Sequence, residues 1–345
     1  MSYSSALASI ADSPLIRVRE LKVQYAACEQ AALFGIDFDI ARGEIVGVLG
    51  ESGSGKSTLA LSILGLLPDD ASIQGSIFFQ EKPGEGCNER AEGQDLLQFD
   101  ESRWRAVRGA KISMIFQEPG LSLSPVMRIG DQIAEVLRAH RHGKAKQCKE
   151  RVEAILRQVR LVDTHRVYSA YPHQLSGGQL HRVAIAQALA CRPALVIADE
   201  PTRSLDVSLQ TEILNVLREV NREAGAALLF ITHNPALLAG FADRVIVMYA
   251  GRIVGEGPVA QIFLRPLHPY TKALLQLAPS NSRHAIPADR RLPVIPGNLT
   301  QSDYLARGCV FESRCAARTT VCRNDSPSAV TTEESHRVSC FNYGN

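Results

Sequence analysis

Apolar and polar positions alternate along residues 15–49, in LIRVRELKVQY and again in FDIARGEIVGVLG, a period of two that predicts short strands. Gly43 and Gly50 punctuate this stretch. From 57 to 67 the apolar residues recur at helical spacing. A second strand-like pair is predicted around GSIFFQ and KISMIFQ, with a polar, Gly- and Glu-rich surface loop over 81–94 between them. Residues 125–190 read as helical, since IGDQIAEVLRAH and KERVEAILRQVRLV place apolar groups at i, i+3, i+4 and i+7. ALVIADE then reads as a buried strand, 208–223 as a helix and ALLFITH as a second buried strand. Continuously apolar strands around a helix predict a parallel sheet covered on both faces, hence an α/β fold. RVIVMYAG and GRIVGEG read as a hairpin. Beyond about 256, HPYTKALLQL is a short helix, and proline and polar residues dominate through 301.

Composition narrows the class. The 345 residues suffice for two domains, or for one large domain with an appendage. A hydrophobic share of 45% and a charged share of 21% are globular rather than disordered. The net charge of +2 argues against a wholesale nucleic-acid binder. No apolar run reaches the ~18 residues a membrane span needs; the longest, 59–67, is broken by Ser62 and Gly65 and stopped by Pro68. MSYSSALASIADSPL has neither the basic start nor the apolar block of a secretory signal. Eight cysteines without an export signal then imply a reducing compartment, and the expectation is a soluble, cytosolic chain.

One stretch carries specific chemistry. Gly50-Glu-Ser-Gly-Ser-Gly55-Lys56-Ser57 fits G-x-x-x-x-G-K-[ST] between an apolar strand and a helix. Glycines let successive backbone N–H groups point at phosphate oxygens, where a β-carbon would obstruct them. Lys56 supplies a charge near the terminal phosphates, and the Ser57 hydroxyl can take one position on Mg²⁺. The helix that follows aims its positive end at the same anion. Asp199 and Glu200 close ALVIADE, at the strand edge where open α/β sheets bind ligands. Asp199 would hold the Mg²⁺ shell, and Glu200 is the candidate general base for an attacking water. Leu175-Ser176-Gly177-Gly178-Gln179 opens a second glycine-rich helix N-terminus.

The order GESGSGKST, Gln117, LSGGQ, LVIADEP, SLD and His233 over residues 15–256 resembles the ATP-binding cassette (ABC) ATPases. The resemblance implies a RecA-like core with an antiparallel β subdomain and a helical subdomain over about 118–190, after an N-terminal tail over 1–14. It also implies a nucleotide set of Tyr25 (stacked on adenine), Gly50, Ser52, Gly53, Gly55, Lys56, Ser57, Thr58 and Asp199. Glu200 would be the catalytic carboxylate, His233 a γ-phosphate switch, and Gln117 a γ-phosphate sensor sharing the Mg²⁺ with Ser57. Leu175 to Gln179 would close over ATP held by a neighbouring cassette, and Ser204, Leu205 and Asp206 would form the loop crossing to that neighbour. Such a chain must pair with itself or with a related cassette.

MIFQEPGLSLSPVMRIGDQI, YPHQLSGGQLHRVAIAQALACRPALVIADEPT and HPYTKALL resemble the oligopeptide, dipeptide and nickel importer ATPases in particular. So does Cys309-x5-Cys315-x6-Cys322-x17-Cys340 in a small Cys-rich extension over 257–345, which in that branch is associated with an iron–sulfur cluster. Four thiolates in a loop-rich tail suit a soft metal centre such as [4Fe–4S]; zinc and unligated thiols remain alternatives. Cys28, Cys87, Cys148 and Cys191 read as structural. The implied partners are a second ABC subunit in a heterodimer, two membrane permease subunits and an external solute-binding protein, with the chain peripheral on the cytoplasmic face of the inner membrane. The implied solute is a peptide, with nickel, opines and antimicrobial peptides as alternatives, and a soluble, non-transport ABC ATPase is the rival class. Asn234 stands where the family usually has Asp, and Arg203 where it has a small or hydroxylated residue.

Overall fold

The computed structural model describes residues 14–80, 93–140, 145–203, 205–277, 295–333 and 335–343. The N-terminal tail and Cys87 lie outside them, as does most of the predicted 81–94 loop. The chain begins with β1 (Ile16–Gln24) and β2 (Leu33–Ile40), paired antiparallel. In β1, Ile16, Val18, Leu21 and Val23 all point inward. That face survives a break in the period of two because the register shifts between Val18 and Leu21, where Glu20 takes φ 48°; one extra residue there restores the alternation.

Strand β3 (Ile45–Leu49) is buried throughout and feeds helix α1 (Lys56–Ile63). The helix stops short of the expected 67. Gly65 takes φ +58°, and a β-carbon on it would lie 2.4 Å from the Trp104 ring. Strand β4 (Ser72–Phe79) pairs with β1, and β5 (Gln94–Asp95) with β4, giving a four-stranded sheet in the order β2-β1-β4-β5. Gln94, expected in a loop, is therefore a strand residue. After α2 (Glu101–Val107) comes β6 (Ile112–Ile115). The strands read around GSIFFQ and KISMIFQ are thus not neighbours: β4 lies in the antiparallel sheet and β6 in the main one. Alternation shows that a segment is extended but not which partner it takes.

The helical region comprises α3 (Pro119–Ser122), α4 (Ile129–Ala139), α5 (Ala145–Gln158), α6 (Thr164–Ser169) and α7 (Gly177–Leu189). Then follow β7 (Leu195–Asp199), α8 (Val207–Ala224), β8 (Ala227–Thr232), β9 (Arg244–Tyr249) and β10 (Arg252–Pro258). The main sheet runs β11-β12-β10-β9-β3-β8-β7-β6, with the stretch from β9 to β6 parallel. Successive residues serve opposite faces: Leu228 and Phe230 join the core beneath the helical region, while Leu229 and Ile231 join the core shared with α1 and the antiparallel sheet. Double burial is why these strands read as unbroken apolar runs. Strands β9 and β10 form the expected hairpin.

Beyond it lie α9 (Val259–Leu264), α10 (Pro269–Leu277), α11 (Gln301–Tyr304) and α12 (Thr320–Asn324). The last strands, β11 (Val330–Thr331) and β12 (Arg337–Val338), pair onto β10, so the C-terminal region extends the main sheet. Cys148 and Cys191 are buried, in keeping with structural thiols, whereas Cys28 is exposed. Among the described residues no helix is long and apolar enough to cross a membrane.

Candidate functional site

The turn between β3 and α1 wraps around the Lys56 ammonium. Its Nζ donates to the carbonyls of Gly50 (2.8 Å) and Glu51 (2.7 Å) and to Ser54 Oγ (3.3 Å). Two glycines are demanded by close approach. A β-carbon on Gly50 would lie 2.4 Å from the Met248 carbonyl; one on Gly55, at φ +101°, would lie 2.8 Å from Leu33 and 2.9 Å from the Ala32 carbonyl. Lys56 is 5% exposed. Burial lowers its pKa, against the opposing pull of Glu200, Asp199 and Glu51. Ser52, Gly53 and Ser57 face solvent at the rim. The Tyr25 hydroxyl lies 3.1 Å from Thr58 Oγ1, so this ring stands half-buried at the start of α1 rather than inside the core.

Asp199, at the end of β7, is buried and hydrogen-bonded by Ser57; burial raises its pKa and the Ser57 bond opposes the rise. The fold thus brings two residues 142 positions apart in sequence into hydrogen-bonding contact. Glu200 follows with φ 45°, a backbone conformation uncommon outside glycine and often found at functional positions. Its Oε1 lies 2.9 Å from His233 Nδ1, at the end of β8, and Arg203 Nη1 stands 3.5 Å from its Oε2. The Gln117 amide, with its oxygen toward Arg203, accepts from the guanidinium, including Nε at 3.3 Å. Arg203, though exposed, therefore links Gln117 to Glu200. Asn234 caps the short turn after β8, accepting from Ala236 N at 3.0 Å. An amide oxygen does there what a carboxylate would.

The Leu175–Gln179 segment forms the start of α7 as a capping box: Ser176 Oγ accepts from Gln179 N, and Gln179 Oε1 from Ser176 N. Leu175 is buried, and Ser176 and Gly177 are exposed. With Arg160, Arg182, Leu205 and Asp206, Ser176 to Gln179 line an open concavity of about 510 Å³ whose wall contains no residue of the phosphate loop. Asp206 caps α8 through Leu209 N (2.9 Å). Ser204 lies outside the described residues. His181 Nδ1 meets the Pro201 carbonyl at 2.8 Å, tying α7 to the turn that carries Glu200. The structure thus gathers the phosphate loop, Asp199, Glu200, Gln117 and His233 on one edge, and leaves Ser176–Gln179 and Asp206 on a separate open face.

The expected four-cysteine metal centre finds no support in the geometry. Among the described residues no group of three or more His, Cys, Asp or Glu is arranged to hold a metal ion. Burial raises the Cys309, Cys315 and Cys340 thiols, with neighbouring cysteines adding to the rise, and it pushes Cys309 up to about 11. This tail packs into the core of the main sheet, with Cys309, Val310, Phe311 and Cys322 in the same apolar cluster as Tyr249 and Tyr270. Phe311 packs edge-on to Tyr249 at 5.2 Å and against Tyr270 and His268, and Cys309 N bonds the Cys322 carbonyl at 2.8 Å.

Comparison with known proteins bears on this geometry. Residues 33–203 match the ABC transporter family, and 254–322 match the oligopeptide/dipeptide transporter C-terminal region. A "probable peptide ABC transporter ATP-binding protein" of Sinorhizobium fredii is 41% identical over 95% of this chain and 94% of its own length. The chain belongs to the ABC transporter ATPase family. The oligopeptide transport ATP-binding protein AppD of Bacillus subtilis is 39% identical over 96% of this chain and 97% of its own. Among solved structures, a dimeric ATP-binding cassette in a post-hydrolysis state with ADP and Pi is 28% identical, with a TM-score of 0.60 over 71% of this chain and 98% of that one. ABC ATPases hydrolyse ATP, and the α/β cassette expected from the sequence is the fold observed.

Two contributors to this ABC site escaped sequence reading. Arg314, far along the chain, forms a bidentate pair with Glu51 inside the phosphate loop, and Tyr270 Oη accepts from Glu51 N at 2.9 Å. The only sequence signal was the HPY triplet itself.

Proposed function

We propose that this chain is the ATP-hydrolysing subunit of a membrane importer for peptides, working as a peripheral protein on the cytoplasmic face of the inner membrane. The observation that carries the proposal is the division of one site over two faces. Lys56, Asp199–Ser57 and Glu200–His233 are assembled together, while the Ser176–Gln179 face is open and needs another cassette. The peptide reading draws support from the C-terminal match and from the relatives' names.

In this reading the Gly50–Thr58 backbone cradles the phosphates, Lys56 leaves the loop carbonyls for the γ-phosphate, and Tyr25 meets the base. Mg²⁺ arriving with ATP would be held from Ser57 and Gln117, with Asp199 behind Ser57; it supplies neutralisation of the phosphate charge. Glu200 takes the proton of the attacking water, and His233 orients it. A partner's equivalent of Ser176–Gly178 completes the site, so catalysis is mostly positioning and electrostatics. The two permease subunits would dock a cytoplasmic helix into the apolar groove of about 250 Å³ beside the Gln117 strand, where Leu66 and Phe116 are exposed. A second cassette and an external solute-binding protein complete the assembly. An iron–sulfur centre on Cys309, Cys315, Cys322 and Cys340 is supported only by their spacing along the chain; iron and an iron–sulfide absorbance band in anaerobically purified protein would sustain it, and a colourless, iron-free sample would remove it.

The test is ATP-driven uptake of labelled dipeptide into proteoliposomes holding the complete assembly, with wild type beside Glu200→Gln. Uptake and hydrolysis should fall together. Equal hydrolysis by both would remove Glu200 as the base, and hydrolysis without peptide uptake would remove the peptide.

A further inference from the structure

The C-terminal region touches the phosphate loop at three points. Arg314 follows Phe311 by one short turn and directly precedes Cys315, and its side chain is 5% exposed. It donates to Glu51 Oε2 (2.6 Å) and Oε1 (3.0 Å), to Tyr249 Oη (3.3 Å), and to the carbonyls of Pro296 (2.8 Å) and Gly297 (3.1 Å). Five donated bonds match the five N–H groups of a guanidinium, so this side chain has no freedom to serve elsewhere. Tyr304 Oη donates to the Gly53 carbonyl, and Tyr270 Oη accepts from Glu51 N at 2.9 Å. Glu51 and Gly53 both belong to the loop read as the phosphate cradle.

The charge of Glu51 is what makes this arrangement informative. A carboxylate at the second position of an anion-binding loop repels the incoming phosphates, and it lies near enough to act on the Lys56 charge. Arg314 cancels it through a fork-to-fork pair, the geometry that fixes a carboxylate in both position and plane. We propose that Arg314 is a positioning residue for nucleotide binding, neutralising Glu51 and bracing the phosphate loop, so that the C-terminal region is part of the nucleotide site. This inference rests on reading Gly50–Thr58 as that site.

The test uses the full chain, a fluorescent ATP analogue for Kd, and hydrolysis in the assembled complex for KM and kcat. Arg314→Ala should weaken Kd and KM about tenfold and leave kcat within about twofold, since the brace acts on binding and not on the attacking water. Arg314→Lys, keeping the charge but not the fork, should recover part of the loss. The double variant Glu51→Gln/Arg314→Ala should bind more tightly than Arg314→Ala, because the repelling carboxylate is gone. If Arg314→Ala does not fold, Arg314→Lys carries the test against wild type: a Kd weakened by less than tenfold sustains the brace, and a wild-type Kd overturns it. Wild-type affinity in Arg314→Ala, a double variant no better than Arg314→Ala, or a loss confined to kcat would each overturn the proposal. Lys56→Ala serves as the control. Undiminished binding there would mean that nucleotide sits elsewhere, sinking the site; weak Lys56→Ala beside normal Arg314→Ala would sink the brace alone.

Discussion

The two glycine-rich helix starts of this ABC ATPase are built on opposite plans. Around Gly50–Thr58 the backbone is enclosed: Lys56 and Ser54 are buried, the loop is held from β2 through Ala32 and Leu33, and Glu51 is held from the C-terminal region by Arg314 and Tyr270. Around Ser176–Gln179 the helix start satisfies its own donors with a capping box and presents Ser176 and Gly177 to solvent. Both helix ends attract anions. Only the first has a lysine, a buried aspartate and a glutamate paired with a histidine within reach. The contrast shows that two helix starts of similar geometry differ in what is packed behind them, one enclosed by charged groups and the other left open to solvent.

The largest expected effect tests the enclosed half. Glu200→Gln should lower ATP turnover about 10²- to 10⁴-fold, the usual worth of a positioned base, while a fluorescent nucleotide still binds. A turnover near wild type would show that Glu200 is no base and would blur the difference between the two halves.

The open half is broken differently. A β-carbon on Gly177 meets nothing within 4 Å. Gly177→Trp should therefore leave thermal stability within about 0.5 kcal/mol and nucleotide binding by the isolated chain intact. Turnover of the assembled complex should nonetheless fall about a hundredfold, because the bulk stands where a partner must close. Loss of nucleotide binding by the isolated chain would mean that the two halves are one site.

Acid should act on the enclosed half first. His268, 2% exposed, accepts from Tyr270 N at 3.1 Å, and burial holds its pKa down to about 4. The proton thus binds the unfolded chain better than the folded one. Stability is fully present above the ordinary histidine value near 6.5, and about 3 kcal/mol of it is lost as the pH falls toward 4. Hydrogen exchange should rise around Tyr270 and Glu51 across that window before it rises around Ser176, and His268→Gln should flatten the response. Simultaneous opening of both regions would count against a separate support for the phosphate loop.

The smallest effect sharpens the picture at Glu200. Arg203→Thr frees the carboxylate oxygen at 3.5 Å and the Gln117 amide. Turnover without transported solute should rise about two- to threefold, an exposed pair being worth only about 0.5 kcal/mol. A fall instead would assign Arg203 to catalysis.

How much of this was legible in the chain depends on distance along it. The phosphate loop, the capped signature helix and the buried strands were readable because each is set by residues a few positions apart: glycines for close approach, a serine with a glutamine three residues on, and apolar runs where both strand faces are covered. The pairing of β4 with β1 was not, since alternation is silent about partners. Nor was the link that Arg203 makes between Gln117 and Glu200, or the packing of the cysteine-bearing tail through Phe311 onto Tyr249 and Tyr270.

The sequence alone determined that a phosphate-binding loop stands between a buried strand and a helix, that carboxylates follow another buried strand, and that the family is that of ABC ATPases. Only the tertiary structure decided that Ser57 meets Asp199, that His233 and Arg203 take the two oxygens of Glu200, and that Arg314 reaches Glu51 across 263 positions. Local patterns encode backbone shape and which face is buried. Contacts between side chains far apart in the chain depend on the order in which strands assemble and on which charges burial forces to pair.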